Sequence, residues 1–520
     1  MLLTRVTNLF KNTLIYGMGS VATNVVSLLL LPIFTSYLTP TDYGIITMLL
    51  TIEAAAQVLF RWGVDTAFMR LYYDCADERA RQQLASTIFL FLLTMNGAVA
   101  LGGTAAAGPL SVLLFHSRAY TLLIRLVIAN TFAGSFFFMP FQVLRIKEQP
   151  AQFVSLAFIQ SAGTIAARLV FVVGMRLEVF GIVAADLVIT TLMILIMIRW
   201  FVPLLRPMFS TAILREALGF GLPRVPHTVA RQVIGFADRY FLNAFGTLRD
   251  VGLYSIGATF GLALKLFVSA FESAWTPFFL GLMHQRDAKR IYSTISTYVI
   301  ALLTLLVAGV CVTAPAIVRI FTNPKFRGAE VVTPWIALGV MFQGLYLLGS
   351  IGLVITKRTK VYPISTGAAA AASVLANLLL IPRLGIVGAA LANAIAYFTL
   401  ACATVGASWY FYPIQYEWNR LARVTVAGVA GYLASVHGVP TSLRPIHQVL
   451  ACTVLTTAVY GLVLLVSGFF RPGELKLLRD IRARTLQWNK SPVVRSEMPV
   501  EMAGEFIDTP TEPGSDTLDT

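Results

Sequence analysis

The chain has 520 residues, of which 57% are hydrophobic and only 12% charged, with a mean hydropathy of +0.75. Soluble globular chains carry about a quarter charged residues, so this composition excludes a soluble protein and calls for a polytopic membrane protein. The net charge of +15 sits mostly in short segments between apolar runs, which excludes a nucleic-acid footprint.

The apolar runs predict an all-α integral membrane protein of about 14 transmembrane helices. The first six spans lie near 12–37, 42–64, 85–107, 119–144, 150–174 and 178–201. The next six lie near 218–245, 251–283, 291–315, 331–356, 360–382 and 386–412, and two more near 419–437 and 446–470. The first run follows Arg5 and Lys11 and is too long for a signal-peptide core, so it is read as a span that stays in the membrane. Cys311, Cys402 and Cys452 fall within spans and Cys75 in a loop, so no disulfide is expected. With the N-terminus inside, the inner segments hold 25 Lys and Arg and the outer loops 8. That bias predicts both termini in the cytoplasm.

A short repeat divides the chain. Thr39-Pro40-Thr41-Asp42-Tyr43-Gly44 precedes the second span, and Thr247-Leu248-Arg249-Asp250-Val251-Gly252 precedes the eighth. The pattern T-x-x-D-x-G thus returns after 208 residues at the same place between corresponding spans. Two pseudo-symmetric six-helix lobes are expected, 1–217 and 218–412, followed by two C-terminal helices over 413–470. The tail over 471–520 is read as two parts. Residues 473–488, with Leu475, Leu478, Ile481 and Leu486 among basic residues, suggest a surface helix, and the acidic stretch after Arg495 reads as disordered.

Seven cations interrupt the apolar spans: Arg61, Arg125, Arg168, Arg224, Arg231, Arg239 and Lys265. A cation at membrane depth costs roughly 3 kcal/mol, so it normally faces a bundle interior or a watery cavity. In the seventh span Arg224, His227, Arg231 and Asp238 are 3, 4 and 7 residues apart and share a helical face. Lys265 and Glu272 share a face of the eighth span, and Glu53, Gln57 and Arg61 step by four along the second. One reading makes Arg61, Arg125, Arg168, Arg224, Arg231 and Lys265 the lining of a cavity for a phosphate-bearing cargo, since guanidinium groups suit bidentate phosphate contact. In it Glu53, His227, Asp238 and Glu272 are candidates for coupling to H+ or Na+. The other reading is structural: Asp238 pairs with Arg239 or Arg231, Glu272 with Lys265 and Asp186 with Arg168, pinning helices together. The chain shows no phosphate-cradling glycine loop, no H-E-x-x-H and no clustered Cys and His. Neither enzyme chemistry, a cofactor nor a metal is therefore expected.

Several stretches resemble bacterial polysaccharide flippases of the Wzx type, within the superfamily of multidrug, oligosaccharidyl-lipid and polysaccharide exporters. They are Leu30-Leu31-Pro32-Ile33-Phe34 through Tyr43-Gly44, and Gly63-Val64-Asp65-Thr66-Ala67-Phe68-Met69-Arg70-Leu71-Tyr72. Ala237-Asp238-Arg239-Tyr240-Phe241-Leu242 with Val251-Gly252-Leu253-Tyr254-Ser255 is a further match. Asn377-Leu378-Leu379-Leu380-Ile381-Pro382 with Gly385-Ile386-Val387-Gly388-Ala389-Ala390 completes the set. The resemblance implies an isoprenoid lipid carrying a diphosphate-linked oligosaccharide as cargo, moved outward by alternation of two lobes. It implies polysaccharide polymerase and chain-length proteins as partners, and it assigns Asp238 and Arg239 no role beyond membership of the motif. The alternatives left open are a flippase for the peptidoglycan lipid precursor, a cation-coupled multidrug extruder, and a membrane polysaccharide polymerase.

Overall fold

A computed structural model of the chain describes residues 26 and 28–471. The start of the first span and the expected surface helix and acidic stretch of the tail lie outside the described residues. All regular structure among the described residues is helical. The helices of the first half are α1 (Leu31–Tyr37), α2 (Pro40–Arg61), α3 (Val64–Asp74), α4 (Glu78–Ala105), α5 (Ala107–Phe115) and α6 (Thr121–Gly134). They continue with α7 (Phe138–Ile146), α8 (Pro150–Arg168), a π turn (Leu169–Gly174) and α9 (Glu178–Phe201). A connecting helix, α10 (Thr211–Gly221), leads into α11 (Val225–Phe245), α12 (Leu248–Leu262), α13 (Leu264–Leu282) and α14 (Ala288–Phe321). The rest are α15 (Thr333–Gly349), α16 (Ile351–Ile355), α17 (Val361–Phe411), α18 (Trp418–Gly438) and α19 (Pro445–Val466). The described residues up to Val463 belong to one compact unit and those from Leu464 to another.

The fourteen spans read from the sequence map onto these helices in order, and the chain is an all-α integral membrane protein. By length and apolar composition alone, nine helical stretches among the described residues can cross a membrane, or ten with the pair α12–α13, which bends by 42°. The difference has physical causes. α17 carries two spans, joined across Gly385, whose φ of 55 marks a break three residues after Pro382. α11 and α18 fall short because they hold Arg231, Asp238 and Arg239, and Arg420 and Arg423. The second span, read to 64, ends at a sharp corner: Trp62 (φ 48) and Gly63 (φ 71) are left-handed, and the chain resumes as α3. Trp62 Nε1 fixes this corner by donating to Asn96 Oδ1 at 3.0 Å.

The T-x-x-D-x-G repeat has a double structural meaning. Its Thr and Asp form reciprocal capping boxes at the starts of α2 and α12. Thr39 Oγ1 accepts from the Asp42 amide at 3.2 Å while Asp42 Oδ2 accepts from the Thr39 amide at 2.8 Å. Thr247 and Asp250 repeat this at 3.2 and 3.0 Å. Each box satisfies two amides that a helix start leaves unpaired. The glycines lie where the two helices cross. A Cβ on Gly44 would strike the Leu248 carbonyl, and one on Gly252 would strike the Pro40 carbonyl. These contacts exchange under the 208-residue offset, so the two copies meet about a local twofold. Thr47 and Ser255, again 208 apart, join hydroxyls across it at 2.7 Å. A shared core surrounds the crossing, with Ile45, Met48 and Leu49 of α2 packed among Val251, Tyr254 and Ala258 of α12.

Candidate functional site

In the first half, the intramembrane cations are engaged. Arg168 closes α8 immediately before the π turn, a distortion that often marks functional positions. Its Nε and Nη2 donate to Asp186 Oδ1 and Oδ2 on α9 at 2.9 and 2.8 Å, a side-on bidentate pair. Glu53 of α2 lies within electrostatic reach of both partners, and Gln57 Nε2 donates to its Oε1 at 3.0 Å. Arg61 ends α2 with Asp65 Oδ2 4.0 Å away across the Trp62–Gly63 corner, and its side chain is 61% exposed. Arg125 on α6 is exposed and donates from Nε to the Thr104 carbonyl at 3.3 Å.

The second half is arranged differently. Arg224 ends the 3-10 turn that leads into α11. His227 and Arg231 follow on α11, half-buried and exposed respectively. Lys265 is the second residue of α13, directly after the bend from α12, and Glu272 sits two turns further on. Lys265 lies within electrostatic reach of Arg231 and Glu272, and Tyr346 of α15 within reach of Arg231 and Glu272. Arg231 and Lys265 have no carboxylate within 4.0 Å and no hydrogen bond among the described residues. An exposed charge on a spanning helix faces either lipid or water, and the cost of facing lipid strongly favours water. Below Lys265, α13 exposes a polar stripe of Ser269, Glu272, Ser273 and Thr276, spaced at one helical face. Ser273 and Thr276 return their hydroxyl protons to the carbonyls of Ser269 and Glu272, which leaves oxygen lone pairs directed outward.

Asp238 is buried, and it sits in a closed network. Arg239 Nη1 donates to its Oδ1 at 3.0 Å, the Tyr254 hydroxyl donates to its Oδ2, and the Arg239 guanidinium lies 5.1 Å over the Phe236 ring. The network joins α11 to α12.

Thus two of the three structural pairings open in the sequence are formed, Asp238 with Arg239 and Asp186 with Arg168. Glu272 and Lys265 are neighbours without an ion pair. Of the residues marked for a cargo site, Arg231 and Lys265 lie within electrostatic reach of each other, as do His227 and Arg231, and Glu272 and Lys265. Arg168 joins Glu53 in a separate first-half group, while Arg61 and Arg125 each hold a local contact. Sequence reasoning missed Tyr254, because an aromatic residue in an apolar run reads as filler. It also missed Ser269, Ser273 and Thr276, whose four- and three-residue steps from Lys265 through Thr276 were the available signal.

A family model described as polysaccharide biosynthesis protein matches residues 9–283, more than half of the chain. The chain belongs to this family. A protein of the Lsg locus of Haemophilus influenzae is 24% identical over 288 residues, 53% of this chain and 67% of that protein. Among solved structures, the lipid II flippase MurJ in an inward closed conformation superposes with a TM-score of 0.69 at 14% identity, covering 88% of this chain and 99% of MurJ. An inward-facing multidrug resistance transporter of the MATE family and MOP superfamily gives 0.55 at 15% identity, over 78% and 95% of the two chains. The Vibrio cholerae MATE transporter VcmN in its bent form gives 0.51 at 15% identity, over 78% and 98%. At such identities the likeness establishes the fold: the fourteen-helix, two-lobed membrane architecture of flippases and transporters. The family match takes in α11, α12 and α13, and so Arg231, Lys265 and the polar stripe; Tyr346 lies beyond it.

Proposed function

We propose that this polysaccharide biosynthesis protein flips isoprenoid-diphosphate-linked oligosaccharide repeat units from the cytoplasmic to the outer leaflet of a bacterial inner membrane, for lipopolysaccharide or exopolysaccharide assembly. One observation carries the reading. Arg231 and Lys265 lie within electrostatic reach of each other on spanning helices and have no carboxylate within 4.0 Å, an arrangement that favours a bound anion. A diphosphate supplies compact negative charge and acceptor oxygens for both cations. The hydroxyls of Ser269, Ser273 and Thr276 continue from it along α13 and suit sugar hydroxyls as donors. Arg61, Arg125 and Arg224 are further residues proposed for the cargo, and the lipid tail stays in the bilayer.

Alternating access moves the lobes 1–217 and 218–412 about the glycine crossing of α2 and α12, which closes the outer side. Glu53 beside the Arg168–Asp186 pair, and His227 and Glu272 beside the cationic pair, are the groups proposed for ion coupling; Asp238 completes the set, held by Arg239 and Tyr254. A polymerase with its chain-length partner would take up the exported unit, both termini remaining cytoplasmic.

The test locates diphosphate-linked oligosaccharides in a strain lacking the protein. The expected result is accumulation in the inner leaflet, relieved by the intact chain but not by Arg231→Ala at equal protein level. Complete units reaching the outer leaflet without polymerising would overturn the flippase reading in favour of a polymerase.

A further inference from the structure

A second polar feature lies away from the Arg231–Lys265 pair, where α4 and α8 begin and α7 and α9 end. There a cavity of about 280 Å3 is lined by Glu78, Lys147, Gln149, Gln152 and Arg199 over an apolar floor that includes Val143, Leu144 and Leu204. The floor residues are buried, whereas Glu78, Lys147, Gln152 and Arg199 are exposed. We infer that this cavity binds the phosphate headgroup of a membrane glycerophospholipid, with phosphatidylglycerol as the fitting class.

Three features point to that occupant. The first is charge. Lys147 and Arg199 bring two positive charges to one cavity and Glu78 one negative, which leaves a net +1 for a phosphodiester that carries −1. Glu78 has a further cation beside it in Arg81, 3.3 Å away. The Lys147 side chain has no hydrogen bond or ion pair among the described residues. The second is the layering of polar rim over apolar floor, which matches a headgroup above its glycerol and acyl carbons; a free phosphate ion would gain nothing from the floor. The third is the approach. Leu192 and Leu195 on α9, and Val202 just past its end, are exposed at 46%, 60% and 58%. With Arg199 they step by 3, 4 and 3 residues, so one apolar stripe of the spanning helix runs to the cationic rim. An acyl chain laid along this stripe delivers its phosphate to Arg199. Basic cavities between spanning helices at a membrane surface are general sites for anionic headgroups.

The site also borders the connection between the halves. Pro203 and Leu204 line the cavity, and the segment that follows is held to α4: Gln82 Nε2 donates to the Pro203 carbonyl at 3.1 Å, and the Arg206 amide donates to Ser86 Oγ at 2.7 Å. A lipid bound here braces the start of that connection.

The experiment uses the purified full-length chain in detergent and measures its Tm against added phosphatidylglycerol, phosphatidylcholine or inorganic phosphate. Phosphatidylglycerol raises the Tm of the wild type and of Lys147→Arg saturably, and inorganic phosphate does not. Lys147→Gln and the double variant Lys147→Gln/Arg199→Gln need at least roughly tenfold more lipid for the same shift. Arg176→Gln, which removes an exposed cation outside this cavity, responds as the wild type does. Lys147→Gln alters one exposed side chain, so its lipid response remains readable if the double variant is unstable. An equal lipid response in Lys147→Gln and the wild type would overturn the site. A shift from inorganic phosphate as large as that from phosphatidylglycerol, or an equal one from phosphatidylcholine, would overturn the lipid assignment.

Discussion

In the first half of the chain Arg168 is clasped by Asp186 and Arg61 lies near Asp65; in the second, Arg231 and Lys265 share a neighbourhood with Glu272 but pair with nothing at contact distance. Both halves place cations at membrane depth. An arginine held side-on by a carboxylate has committed two of its five N–H donors, and it links two helices whatever else is bound. Two cations without a carboxylate at contact distance keep their donors free and repel each other, so an anion bound by both is stabilised by both. The contrast teaches that counting intramembrane cations does not locate a cargo site. The cations whose charge the protein leaves unanswered are the ones proposed for the cargo.

The strongest way to break this comparison is the double variant Arg231→Ala/Lys265→Ala. If the pair serves the cargo, two charge-assisted contacts of about 1.5–3 kcal/mol each disappear, and export falls by roughly a hundredfold or more. Thermal stability should stay level or rise, because like charges are removed; a large fall in Tm would make the pair structural. Asp238→Ala tests the opposite class. It leaves Arg239 and Tyr254 without their buried partner, and the stability loss is expected at about 3–5 kcal/mol, read as a lower Tm in detergent. Arg168→Ala should cost less, about 1–2 kcal/mol, because the Arg168 side chain is 34% exposed and solvent screens the pair. Adding Asp186→Ala should return part of that loss, and an uncorrected double variant would show that Arg168 acts beyond the pair. Smallest is Arg61→Ala, whose 4.0 Å contact with Asp65 is worth at most about 1 kcal/mol of stability. Any export defect there reports on passage of the cargo rather than on folding.

Much of the fold was legible because bilayer spans announce themselves by length. The runs read near 150–174 and 178–201 correspond to Pro150–Gly174 and Glu178–Arg199 as spanning stretches. Breaks were harder to read. The 42° bend before Lys265 falls at Ala263, two residues after Gly261, inside a run read as one span near 251–283. Such breaks are set by packing between helices, which periodicity along one helix does not contain. For the candidate site, pairs of opposite charge could be foreseen from composition alone, so Arg168 with Asp186 and Asp238 with Arg239 were both open readings. Which cations would remain unpaired depended on how α11 and α13 approach each other, and that is tertiary information. The T-x-x-D-x-G repeat is an intermediate case. Its recurrence was plain, whereas its capping boxes and its crossing emerge only when both copies are placed side by side.

That crossing also bears on inheritance. Because Gly44 meets the backbone of the second copy and Gly252 that of the first, neither copy can change its glycine alone. A side chain gained on one half is a collision with the other, so the two segments must diverge as a matched set. Chimaeras that exchange halves between relatives will therefore succeed or fail on how the capping turn of one parent seats against that of the other, however similar their remaining helices are.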